Sequence, residues 1–101
     1  MERKQIEAYD FYKNEYPGTL LFFHVKDRYV VLSDDSSRVA KLLDQNVGES
    51  SELSFKDDDM SIFKTLGDFD IQIRLIDYRN DNGEFDYPDI KLIKKEKQDD
   101  Y

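Results

Sequence analysis

Ile6, Tyr9, Tyr12 and Tyr16 stand three or four positions apart, the spacing that lines up one apolar stripe of a helix. Pro17-Gly18 ends that run, because proline breaks the hydrogen-bond ladder and glycine accepts a left-handed turn. Leu20 to Val25 is then almost continuously apolar, a pattern that suits a central strand covered on both faces. Lys26-Asp27-Arg28 supplies a short polar turn, and Tyr29 to Leu32 returns as a second apolar, β-branched run, predicting a hairpin. Ser33, Asp34 and Asp35 follow with side-chain oxygens and negative charge suited to a helix start. Val39, Leu42 and Leu43 form that helix's buried stripe.

Farther on, Gln45 to Glu52 reads as a polar loop and Leu53-Ser54-Phe55 as a short strand. Asp57-Asp58-Asp59 is the expected cap of a helix over Met60 to Leu66, stopped by Gly67. Ile71, Ile73 and Leu75 alternate with Gln72 and Arg74, the period of a half-buried strand. Asn80-Asp81-Asn82-Gly83 is a turn, and Phe85, Tyr87, Ile90, Leu92 and Ile93 are expected on a partner strand. The order is αββαβαββ: an α+β fold with a mixed sheet of about five strands flanked by three helices. Residues 1–93 are read as one domain and 94–101 as a frayed charged tail.

Composition narrows the function classes. A chain of 101 residues accommodates one core. It has no cysteine, which excludes disulfides and thiolate metal sites. Aromatic residues make up 14% and charged ones 38%, an ordered core under a heavily solvated surface. Fifteen Lys and Arg against 23 Asp and Glu give a net charge of −8, which repels phosphate backbones and membrane surfaces. Met1-Glu2-Arg3-Lys4 opens no signal peptide and no apolar run reaches membrane-spanning length, so a cytoplasmic location without membrane attachment is expected.

Single residues that could carry chemistry each have a plainer reading. His24 is the only histidine and lies in an apolar strand, where a hydrogen-bonded structural role outweighs that of a base or ligand. Asp57, Asp58 and Asp59 could gather a hard cation, but a helix cap accounts for them, and no metal or cofactor is expected. The Tyr78 to Asp89 stretch fails as a calcium loop because Tyr78 occupies the first ligand position. Asp77 with the later Asp89-Ile90-Lys91 is similar to the acidic pair and Asp-x-Lys of metal-dependent nucleases, a remote alternative that requires adjacent strands.

The stretch from Tyr12 to Asp44 resembles the start of the N-terminal, mismatch-recognition domain of MutS-type DNA mismatch repair proteins. Pro17, Leu20, Leu21, Phe22, Asp27, Tyr29, Asp34, Asp35, Ala40, Leu42, Leu43 and Asp44 carry the likeness. The resemblance implies a central sheet flanked by helices and a non-catalytic module that meets mismatched DNA. In the family a Phe-x-Glu wedge at the turn into the second strand stacks on the mispaired base and hydrogen-bonds it. Here those positions hold Arg28, Tyr29 and Val30, and Lys26 replaces a preceding glycine. An arginine can reach a phosphate or stack on a base, whereas Val30 has no acceptor. Nothing resembles a phosphate-binding loop.

The resemblance therefore points to Lys26, Arg28 and Tyr29 as nucleic-acid-binding residues, with Lys91, Lys94, Lys95 and Lys97 as further candidate cations, for which a solvated strand edge that discourages pairing with other chains is the stronger reading. DNA would be bound weakly or together with a protein partner. The alternative is an acidic protein-protein interaction or DNA-mimic module that kept the fold and lost the DNA contact.

Overall fold

The computed structural model describes residues 2–44 and 52–98. Helix α1 (Arg3–Glu15) starts at Glu2, whose backbone N–H donates to Gln5 Oε1 at 2.9 Å in a capping-box arrangement. It ends where Tyr16 N–H donates to the Tyr12 carbonyl at 2.9 Å, before Pro17 and a left-handed Gly18 (φ +85°). Its inward face is Ala8, Tyr9, Phe11 and Tyr12. Ile6, expected in the buried stripe, lies outside it and is exposed.

Strands β1 (Leu20–Val25), β2 (Arg28–Leu32), β3 (Glu52–Lys56) and β4 (Ile73–Ile76) form one sheet in the order β3-β2-β1-β4. β1 pairs antiparallel with β2 and parallel with β4, and β2 pairs antiparallel with β3. The two early apolar runs are thus the inner strands, as their composition predicts. Leu21, Phe23, Val30, Leu32 and Ile76 point to one face, packed with Ala8 and Tyr9 of α1 and with Tyr87 and Ile90. Leu20, Phe22 and Val31 point to the other, under Val39 of α2 (Ser33–Leu42) and Leu66 of α3 (Ser61–Gly67). A strand sandwiched in this way has no wet side, which explains the nearly continuous apolar run of β1.

Several expectations need correction. Among the described residues the sheet has four strands and four helices flank it, rather than about five and three. The missing strand is the last one: Phe85 makes only an isolated bridge to Arg79, and residues from Ile90 form helix α4 (Ile90–Gln98). Ile90 is buried, Ile93 is partly buried and Leu92 is 54% exposed. A three-residue spacing, not alternation, decides which side chains face inward there. The boundary expected at Lys94 falls inside this helix. The loop expected over Gln45 to Glu52 lies outside the described residues except for Glu52, which opens β3.

α2 begins at Ser33 with Asp34 and Asp35 in its first turn, as expected, though no side chain caps it by a hydrogen bond. Asp35 is 3% exposed, and its carboxylate accepts Leu21 N–H at 3.1 Å and the Lys13 ammonium at 2.7 Å. The aspartate triplet divides its roles instead. Asp59 accepts the Ser61 N–H at the start of α3, while Asp57 turns toward β1.

Candidate nucleic-acid interface at the hairpin tip

The β1–β2 hairpin closes in two residues, since Val25 and Arg28 are paired in register. Lys26 takes a left-handed backbone (φ +56°), the conformation that favours glycine and that sets Lys26 and Asp27 out at the rim. Its N–H donates to the Phe85 carbonyl at 2.8 Å, so the tip leans on the segment after β4. Arg79 lies over the Phe85 ring at 3.9 Å and donates to the Gly83 carbonyl at 2.7 Å.

The face carrying α2 and α3 is acidic at this end. His24, 7% exposed, has Nδ1 2.9 Å from Asp77 Oδ1 and Nε2 3.2 Å from Asp57 Oδ2. Its ring is stacked between Phe85 (3.7 Å between centroids) and Tyr29 (4.5 Å). The histidine has hydrogen-bond partners on both nitrogens, in keeping with the structural role expected of it. The two carboxylates lie at opposite nitrogens of one ring, an arrangement that separates them instead of converging them on a common ion.

Arg28 belongs to the opposite face. Across the β2–β3 ladder its Cα partner is Lys56, and its guanidinium donates to Ser54 Oγ at 3.4 Å. Arg28, Ser54 and Lys56 are all exposed. Val30, the next residue of β2 on this face, is 5% exposed and belongs to the core with Tyr87. An open hollow of about 550 Å³ beside it is lined by Glu2, Gln5, Val25, Val30, Glu52 and Tyr87.

The residues expected to act together are therefore split. Lys26 and Arg28 are exposed at the tip, but Tyr29 is half-buried on the other face, edge-on to Phe63 at 5.4 Å. Burial raises its phenol above the usual range, and Asp77 and Asp57 add to the effect. Lys91 and Lys94 line a groove against Glu7, Asp10 and Glu15 of α1, remote in sequence and element from the hairpin. Lys95 and Lys97 lie outside the residues whose side chains are described. Asp89 accepts Lys91 N–H at 3.1 Å at the start of α4, so the Asp-x-Lys pair sits on a helix end rather than on the strand a nuclease reading requires. Lys56 and Ser54 escaped the sequence reading, because only strand register places them beside Arg28.

The family model for MutS domain I matches residues 4–69, the span from α1 through α3. The chain belongs to the MutS domain I family. It is a mismatch-recognition-like module with an α+β fold, and β4 and α4 follow the matched span. No curated protein matches the chain. Among the described residues no helix is long and apolar enough to cross a membrane. At the hairpin of this MutS domain I chain an exposed cation, Arg28, stands two residues from a buried alkyl group, Val30.

Proposed function

We propose that this protein is a non-catalytic binding module of the mismatch-repair type that engages nucleic acid at its β1–β2 hairpin tip without selecting mispaired bases. It works in the cytoplasm with a protein partner that compensates its net charge of −8. The reading rests on one observation: at the wedge positions Arg28 is exposed and Val30 is 5% exposed. A base-stacking aromatic and a base-reading carboxylate have been replaced by a cation and by a side chain turned into the core. Phosphate contacts position a protein on nucleic acid without reading sequence, and an arginine supplies that contact. Tyr29 does not restore the wedge, since it is packed between His24 and Phe63.

Fluorescence anisotropy with matched duplexes and with duplexes carrying one mismatch, at low and moderate salt, tests this reading. Equal binding to both at low salt, weakened at moderate salt, is expected. A many-fold preference for the mismatch would overturn it, as would no binding at low salt. The second reading, an acidic module for a basic protein partner, draws support from Glu2 and Glu52 at the hollow beside Tyr87. It predicts that last outcome.

A further inference from the structure

We infer that Arg28, Ser54 and Lys56 form a seat for one or two phosphodiester groups of a nucleic-acid strand, on the sheet face opposite His24. The inference rests on the nucleic-acid reading above and names the contact within it. Like charges directly opposite each other on a strand pair are destabilising, yet Arg28 and Lys56 are Cα partners in register. Each could be relieved by a carboxylate. The chain has 23 acidic residues against 15 basic ones, and among the described residues neither cation has an ion-pair partner. Asp57, next to Lys56 in the chain, holds His24 on the other face.

The donor chemistry is one-sided. Ser54 Oγ accepts the Arg28 N–H, which leaves its own O–H to donate. The guanidinium and the ammonium offer donors only, and the Ser54 hydroxyl adds one more donor, which suits a phosphate's acceptor oxygens. The outer strand on this face carries Glu52, Ser54 and Lys56, of which Ser54 and Lys56 are exposed and Glu52 is half-buried, so the face is open above the tip end of the strand. Glu52 and Glu2 at the far side of Val30 repel a phosphate chain. A strand laid over the tip, past Lys26, avoids these two carboxylates but passes the exposed Asp27, which limits the seat to one or two phosphates.

The test is a titration of the full chain, followed by amide NMR shifts, with three probes: a short single-stranded oligonucleotide, the same sequence with uncharged methylphosphonate linkages, and inorganic phosphate. Shifts at Arg28, Ser54 and Lys56 with the charged oligonucleotide are expected, with at least a ten-fold loss of affinity for the uncharged one. The slope of log affinity against log salt should lie between about −0.7 and −2, at roughly −0.7 to −0.9 per phosphate. Lys56→Glu should abolish the shifts and Lys56→Gln should weaken them, with amide spectra reporting that both remain folded. Binding that survives Lys56→Glu, or that shifts other residues, overturns the seat and leaves the nucleic-acid reading standing. Equal affinity for inorganic phosphate and the oligonucleotide overturns the strand as ligand. No binding of any nucleic acid overturns both readings.

Discussion

Lys13 Nζ lies 2.7 Å from Asp35 Oδ1, and the other oxygen of the same carboxylate accepts Leu21 N–H at 3.1 Å. The same ammonium donates to the Thr19 carbonyl. One ion pair thus ties α1, the start of β1 and α2 together. Asp35 is 3% exposed, and removing one partner of such a pair leaves the other charge without its counter-ion. Asp35→Ala should lower stability by about 3–5 kcal/mol in urea unfolding, also freeing Leu21 N–H. Lys13→Met, which keeps much of the side-chain volume, should cost less than Asp35→Ala because Leu21 N–H still has its acceptor.

Alkaline pH should unfold the protein through two phenols. Burial pushes Tyr9 up to about 12, and Asp35 and Asp34 add to it. Burial likewise pushes Tyr87 up to about 12, against a Gln5 hydrogen bond and helped by Glu52. Between the ordinary value of 10.0 and about 12, the folded protein keeps protons that the unfolded chain loses. The stability these groups contribute is therefore complete below pH 10 and falls as pH rises through 12. Tyr87→Phe should flatten the fall in Tm over that window, measured by circular dichroism.

Placing Phe at 28 and Glu at 30, the pattern that the sequence resemblance implies for the family, should be tolerated at the first position and fail at the second. Arg28→Phe changes an exposed residue and is expected to alter stability by less than about 1 kcal/mol. Val30→Glu forces a carboxylate into the core beside Tyr87, at a cost of about 3 kcal/mol or more in chemical unfolding. If the double variant folds with the stability of Arg28→Phe alone, Val30 is not the buried anchor that its 5% exposure indicates.

The inner half of the fold was legible because its signals are local and strong. Four successive apolar positions from Leu20 to Phe23 can be buried on both sides only at the centre of a sheet, and Lys26-Asp27 leaves room for nothing but a tight turn. The C-terminal part misled because Tyr87, Ile90 and Ile93 suit either element until their partners are known. Asp89 at the start of the segment, accepting Lys91 N–H, tips it to a helix. Asp34 and Asp35 marked the start of α2 correctly, but the second role of Asp35 was hidden for a similar reason. An acidic pair before an apolar stripe is the usual helix start, and only the packing of α1 against β1 brings Lys13 to it. The candidate site was half legible: Arg28 follows from the family pattern, but Lys56 stands opposite it only through a register that no local motif encodes.

The sheet order β3-β2-β1-β4 has a consequence for how the molecule assembles. β1, β2 and β3 zip together as a meander between chain neighbours, whereas β4 must travel back past them to lie alongside β1. Until it arrives, the greasiest ribbon of the protein, Leu20 to Phe23, has an unprotected flank open to any other extended chain. A fragment cut where the family match stops, at Phe69, would carry that bare flank permanently. The short Ile73–Ile76 segment thus serves as the cover that keeps the recognition fold to itself.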